Sequence, residues 1–152
     1  MEYQRRRYNI RCYKKELIYE RSEAREWAFK LIFESQFHPE LTFGELYENA
    51  EGIDGFQKDK FTETLFEGVS ACSPDLDELI GKYSKGWSSE RMSKVSLAIL
   101  RLSVFELKYL EDVPMSVSIN EAVELAKKYD GDDAPAFING VLNTLAKAEN
   151  FT

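Results

Sequence analysis

The spacing of apolar residues along this chain is helical almost from end to end. Steps of three and four residues put side chains on one face of an α-helix, whereas a half-buried strand would need strict alternation. The clearest run lies between about residues 89 and 110, and further apolar residues beside its main face predict a central helix. Glu106 lies on the same face as the apolar members of this run, which are Met92, Val95, Ile99, Leu102, Phe105 and Tyr109.

The same spacing predicts a first helix from about Ser22 to Gln36, which ends before Pro39 because proline cannot continue a helix. Capping signals divide the rest of the chain. Thr42-Phe-Gly-Glu45 and Ser118-Ile-Asn-Glu121 both fit a capping box, in which a hydroxyl and a carboxylate satisfy backbone N–H groups at a helix start. Ser73-Pro74 predicts that one helix stops near residue 72 and that another begins there.

The stretch APAFINGVLN, residues 134–143, combines a helical stripe with Asn139-Gly140, a pair that often forms a hairpin turn. The neighbouring apolar residues do not alternate, so we predict that the pair lies inside the last helix. Glycine costs a helix about 1 kcal/mol relative to alanine. We therefore expect Gly140 to allow close approach of another helix, and we expect Asn139 to be buried and hydrogen-bonded.

These patterns predict an all-α fold, a compact single-domain bundle of six to seven helices over residues 22–150, preceded by a basic arm at residues 1–21. The chain has 152 residues, of which 43% are hydrophobic, enough for one core. It contains no apolar run long enough for a transmembrane helix. Its N-terminus lacks the apolar stretch of a signal peptide, so we expect a cytoplasmic protein.

Charge is distributed unevenly along the chain. Residues 1–22 contain seven basic and three acidic residues, whereas residues 23–152 contain 13 basic and 24 acidic ones. A basic arm on an acidic body favours binding to a polyanion such as nucleic acid. A solvated tail without a binding role is the alternative.

The sequence contains no arrangement of residues that is typical of catalysis. It has no glycine-rich phosphate loop and no nucleophile elbow. Cys12 and Cys72 lie far apart, and His38 is the only histidine, so neither a metal site nor a cofactor is expected. A binding or assembly role, not an enzymatic one, is the prediction.

Four motifs in the C-terminal half carry a specific resemblance. They are ILRL-x-x-FEL at 99–107, DVP at 112–114, INEAVELAK at 119–127 and FINGVL at 137–142. Together with AREWAFKLIFESQ at 24–36, they resemble the family of the transcription antitermination factor NusB.

The resemblance implies an all-helical protein without catalytic activity. Members of the family bind the boxA element of nascent ribosomal RNA together with the ribosomal protein NusE, and the pair joins RNA polymerase in antitermination. The same module precedes a ribosomal RNA methyltransferase domain, for which this chain has no room. The alternative is a helical protein-interaction or homodimerisation module that does not bind RNA.

The resemblance also implies where the sites lie. For RNA it indicates Arg21 and Arg25, the latter on the exterior of the first helix, and four further residues: Phe33, Gln36, Tyr129 and Phe137. Partner-binding candidates at the start of the central helix are Glu90, Arg91 and Lys94. The sequence departs from the family at Ser96-Leu97, where an acidic and a basic residue often follow the valine, and at Ala136, where a basic residue is common.

Overall fold

The computed structural model describes residues 21–85 and 92–151, and within these ranges it contains helices and no strand. The predicted all-α fold is therefore confirmed. Apart from Arg21, the basic arm lies outside the described residues. The helices are α1 (residues 21–35), α2 (Phe43–Ala50), α3 (Lys60–Tyr83), α4 (Lys94–Tyr109), α5 (Met115–Tyr129) and α6 (Ala134–Ala148).

Helix α4 lies at the centre of the bundle, as its wide apolar face predicts. It packs against α3, α5 and α6. Between Ser96 and Glu106 every residue except Arg101 is buried, and Arg101 pairs with Asp77 of α3 at 2.7 Å. A helix that is buried on nearly all sides fixes the positions of its neighbours, because each must match its surface.

Helix α3 runs without a break through Pro74, so the prediction of two helices was wrong at this point. Ser73 does not cap a new helix, since its Oγ donates to the Val69 carbonyl over 2.7 Å. The buried face of α3 keeps one helical spacing on both sides of the proline, from Leu65 and Val69 to Leu76. Burial of this continuous face outweighs the backbone hydrogen bond that proline removes.

Of the two predicted capping boxes, the first is confirmed. The Glu45 N–H donates to Thr42 Oγ1, and the Thr42 N–H donates to the Glu45 carboxylate. The second was wrong, because α5 already begins at Met115 and Ser118 is a buried residue in its second turn. The carbonyl of Pro114 accepts the N–H groups of Val117 and Ser118, and no side chain caps the start of α5.

Helix α6 contains Asn139 and Gly140, as predicted, and Asn139 is hydrogen-bonded as expected, but the expected burial of Asn139 and the expected close packing at Gly140 were wrong. Both are exposed, and Asn139 Oδ1 accepts a hydrogen bond from Asn143. Among the described residues, no atom lies within 4 Å of the position that a Cβ on Gly140 would take. The closely packed glycine is Gly68 of α3, where such a Cβ would lie 2.1 Å from the ring of Phe105.

Replacing Gly68 by alanine is expected to destabilise the fold by about 1–3 kcal/mol, because the added Cβ would overlap the buried Phe105 ring and force it to move. The matched change Gly140→Ala is expected to leave stability unchanged or to raise it by up to about 1 kcal/mol through helix propensity. Urea unfolding of both variants measures the difference. Equal stabilities would contradict the assignment of close packing to Gly68.

Candidate functional site

Helix α1 is held to the central helix by a buried ion pair. Arg25 Nε donates to Glu106 Oε1 over 2.7 Å, and the two side chains are 3% and 1% exposed. Burial raises the pKa of Glu106 to about 7, although the charge and hydrogen bond of Arg25 act against this rise. The predicted exterior position of Arg25 was therefore wrong. Its guanidinium is enclosed by the bundle, since it satisfies the one acidic side chain on the buried face of α4.

Arg21 lies one turn before Arg25 and is half-exposed. Its guanidinium contacts the Asp112 carboxylate at 3.6 Å and lies 4.9 Å from the centre of the Phe61 ring. An ion pair this exposed contributes little to stability, so Arg21 remains accessible to an anion. It is the last residue of the predicted basic arm, and the arm therefore joins the bundle at the start of α1.

Four aromatic rings form a row along α1. Tyr129 packs on Phe29 with ring centres 5.1 Å apart, Phe29 lies 6.3 Å from Phe33, and Phe33 lies 5.1 Å from Phe37. Phe29 is buried, Tyr129 and Phe33 are partly exposed, and Phe37 is 50% exposed. The row thus leads from the core to the surface at the C-terminal end of α1.

Tyr129, the last residue of α5, is partly exposed. Its hydroxyl and the Lys128 ammonium both contact the Glu26 carboxylate, Lys128 at 2.5 Å. Burial would raise the pKa of Glu26, but the hydrogen bonds from Lys128 and Tyr129 outweigh it and hold the pKa below its ordinary value. These contacts orient the Tyr129 ring against α1.

The end of α1 touches the beginning of α4. Gln36 Nε2 donates to the Lys94 carbonyl over 2.8 Å, and the Lys94 ammonium lies 5.4 Å from the centre of the Phe37 ring. Phe33 and Gln36, predicted for RNA, and Lys94, predicted for the partner, therefore lie on one continuous surface. We call this surface, made of Phe33, Gln36, Phe37 and Lys94, the helix-end surface.

Asp130, at the end of α5, faces the start of α4. Its carboxylate accepts hydrogen bonds from Ser96 Oγ at 2.6 Å, Ser93 Oγ at 2.8 Å and the Gly131 N–H at 2.8 Å. Burial would raise the pKa of Asp130, but these bonds outweigh it and the pKa lies below its ordinary value. The loop 130–133 is thereby tied to the N-terminus of α4.

Phe137 stands one turn into α6, beside this loop. It forms one wall of a groove whose other apolar residues are Met92 and Ala134, with Asp132 and Asp133 at the rim. Phe137 is partly buried and packs against the core, so its ring is both a core and a surface group.

The structure brings most of the predicted residues to one end of the bundle but not all of them. Arg21 lies about 22 Å from Gln36 along the axis of α1, at 1.5 Å per residue. Glu90 and Arg91 lie outside the described residues. Sequence reasoning missed Phe37 and the role of Asp130. Phe37 directly precedes His38-Pro39 and was treated only as the helix end, and nothing in one sequence pairs Asp130 with serines 34 and 37 residues away.

Two further findings limit the kinds of site. Within residues 21–85 and 92–151 no three potential metal-ligating side chains come together. In the same ranges, each helix is too short or too polar to cross a bilayer.

The fold is that of a NusB-type helical domain. The solved structure of T. maritima NusB is 31% identical and superposes with a TM-score of 0.75, covering 84% of this chain and 90% of that one. A crystal structure of the antitermination factors NusB and NusE in complex with dsRNA matches with 28% identity and a TM-score of 0.73, over 84% of this chain and 96% of the matched chain.

Sequence comparison agrees with the fold. The transcription antitermination protein NusB of Agathobacter rectalis is 44% identical over 129 residues, which cover 83% of this chain and 98% of the relative. The sequence profile of the NusB family matches residues 22–147, and this chain belongs to the NusB family.

Arg25→Ala is expected to cost about 3–5 kcal/mol of stability, because it leaves the Glu106 carboxylate buried without its partner. Arg21→Ala, the control one turn away, is expected to cost about 0–1 kcal/mol because its ion pair is exposed. Denaturant unfolding compares the two. Similar losses for both variants would show that the Arg25 pair does not anchor α1.

The raised pKa of Glu106 predicts a pH dependence. The folded protein holds a proton on Glu106 over pH values at which the unfolded chain, with its ordinary value of 4.5, does not. This contribution to stability is therefore complete below about pH 4.5 and is lost as pH rises through about 7. Between pH 5 and pH 8 the wild type should lose more stability than Glu106→Gln, as thermal unfolding at each pH would reveal. Parallel curves for the two proteins would argue against a raised pKa.

Proposed function

We propose that this protein is a transcription antitermination factor that binds boxA-type RNA of nascent ribosomal RNA transcripts together with NusE, in a complex with RNA polymerase. The observation that carries the proposal is the similarity of the bundle, over 84% of the chain, to the NusB structure solved with NusE and dsRNA. The role is one of binding and not catalysis, and it is exercised in the cytoplasm, where transcripts emerge.

The helix-end surface is the proposed partner-facing site around Lys94, and its Phe33 and Gln36, which the resemblance indicates for RNA, remain proposed RNA contacts at its edge. Phe37 offers a half-exposed ring, Lys94 a cation above it and Gln36 a polar group beside them. Exposed aromatic residues surrounded by polar groups are typical of protein-interface anchors. Glu90 and Arg91 precede α4 in the chain and belong to the same proposal.

RNA is proposed to meet the protein through the arm and the aromatic rings. Six of the twelve described cations after residue 22 are engaged by carboxylates, among them Arg25, Arg101 and Lys128. The phosphates are assigned to Arg21 and to the six basic residues of the arm before it, because the arm is the one segment of the sequence in which basic residues outnumber acidic ones so clearly. Tyr129 and Phe137 have partly exposed rings on which unpaired bases can stack, an interaction worth about 1–3 kcal/mol per base. Arg25 is not retained as an RNA contact, because it is buried.

The competing proposal is a helical interaction or homodimerisation module without RNA binding. The acidic body, with 24 acidic and 13 basic residues after residue 22, is the observation that favours it. The two proposals differ in whether RNA binds at all.

Titration of labelled boxA RNA with the full-length protein, with and without NusE, tests the function. We expect salt-sensitive RNA binding that tightens when NusE is added, because a basic partner offsets repulsion between the acidic body and RNA. A scrambled RNA of the same length is the control for sequence preference. Absence of an RNA complex at low salt, together with a dimer in sedimentation, would support the competing proposal.

The arm has its own test. A full-length variant with the six basic residues between Arg5 and Lys15 replaced by glutamine is expected to show a shallower dependence of log affinity on log salt. The slope should fall by up to about 4, at about 0.7 per phosphate contact with a single strand. A variant that also loses six positive charges, with Lys58, Lys82, Lys85, Lys108, Lys127 and Lys147 replaced by glutamine, is the control for total charge. If the arm variant keeps the wild-type slope, the arm does not contact RNA.

A further inference from the structure

We propose that the Asp130 carboxylate is a positioning residue that couples NusE binding to RNA binding through its hydrogen bond with Ser96. This inference rests on the proposed function. It concerns how the proposed partner-facing surface is connected to the proposed RNA-binding surface. The contact that connects them, between Ser96 and Asp130, involves a position at which this chain departs from the family pattern.

Three donors converge on this carboxylate from two different elements. Ser93 and Ser96 belong to the N-terminal turn of α4, whereas the Gly131 N–H belongs to the loop that follows α5. Ser96 is buried and its Oγ to Asp130 Oδ2 distance is 2.6 Å, the geometry of a strong hydrogen bond to a charged acceptor. Ser93 Oγ also accepts the Ser96 N–H over 2.9 Å, so the three side chains form one closed network.

The network connects the two proposed binding surfaces. On one side, Ser93 directly precedes Lys94, whose carbonyl and ammonium contact Gln36 and Phe37 of the helix-end surface. On the other side, the loop after Asp130 leads within seven residues to Phe137. A partner that settles on the start of α4 therefore acts on the loop and on the Phe137 ring through the same carboxylate.

The residue at position 96 makes this contact possible. A serine hydroxyl donates a hydrogen bond to Asp130, whereas a carboxylate at the same place could only repel it. The pKa of Asp130, held below its ordinary value by these bonds, keeps the acceptor charged at neutral pH. The link between α4 and the loop is thus a charged hydrogen bond that is available under physiological conditions.

The test measures the factor by which NusE tightens binding of boxA RNA, in the wild type and in Ser96→Ala and Asp130→Asn. Ser96→Ala keeps all charges and places a good helix former in α4, so it should fold. We expect both variants to reduce the factor by about tenfold or more, or to abolish a smaller one, as the loss of a hydrogen bond to a charged group predicts. Ser96→Thr, which keeps the hydroxyl, should restore it.

Asp132→Asn is the matched control. The Asp132 carboxylate lies in the same loop and makes no ion pair or side-chain hydrogen bond within the described part of the chain. Asp132→Asn removes the same charge from the loop as Asp130→Asn does. We expect it to change the RNA affinity by the same factor with and without NusE, so the tightening by NusE stays as in the wild type. Reciprocity gives a second readout, because RNA must tighten NusE binding by the same factor in every variant.

The outcomes separate the two proposals. If NusE tightens RNA binding to the wild type and the factor survives in both Ser96→Ala and Asp130→Asn, the coupling role of Asp130 is wrong and the proposed function stands. If both variants weaken RNA binding equally with and without NusE, Asp130 positions the RNA site alone, which also overturns the coupling. If NusE does not tighten RNA binding to the wild type, both the coupling role of Asp130 and the proposed joint binding of RNA and NusE are wrong.

Discussion

The buried pair between Arg25 and Glu106 is the constraint on which the position of α1 depends. Arg25 and Glu106 are each other's hydrogen-bond partners inside the bundle, and either group left there alone would be strongly destabilising. The pair therefore holds α1 in one position against α4. The pair thereby also positions the residues at both ends of α1, which are Arg21, where the basic arm joins, and the exposed Phe37.

The sequence predicted the helices well because burial in this fold follows a single period. Where a proline or a capping motif predicted a helix boundary but the helical spacing of apolar residues continued, the helix continued. Pro74 and Ser73 are typical of a helix start, yet the apolar face of α3 continues across them and the helix with it. Ser118 fits a capping box, yet it lies inside α5, and its partner in the pattern, Glu121, instead accepts a hydrogen bond from Ser22. A helix cap stabilises by about 1 kcal/mol, which is less than the stabilisation from burying a whole apolar helix face.

The candidate site was harder to predict, because its geometry depends on contacts between distant parts of the chain. Arg25 looked like a surface cation until its partner, 81 residues away, was located in the core. The sequence suggested that Gly140 is the closely packed glycine, but it is Gly68 whose missing side chain leaves room for the Phe105 ring. A single sequence shows the residue types and their spacing along one helix, whereas the pairing of faces between helices is a property of the folded bundle.

The charge distribution explains why such a protein would need a partner to hold RNA. An acidic body repels phosphates, and half of its described cations are paired with its own carboxylates, as Arg101 is with Asp77. In the proposed function, RNA affinity comes from the arm at the start of α1 and from the rings of Tyr129, which contacts Glu26, and Phe137, which lies beside the loop after α5. A basic partner would supply positive charge that the acidic body lacks, so in the proposed function NusE strengthens the attraction between the protein and RNA.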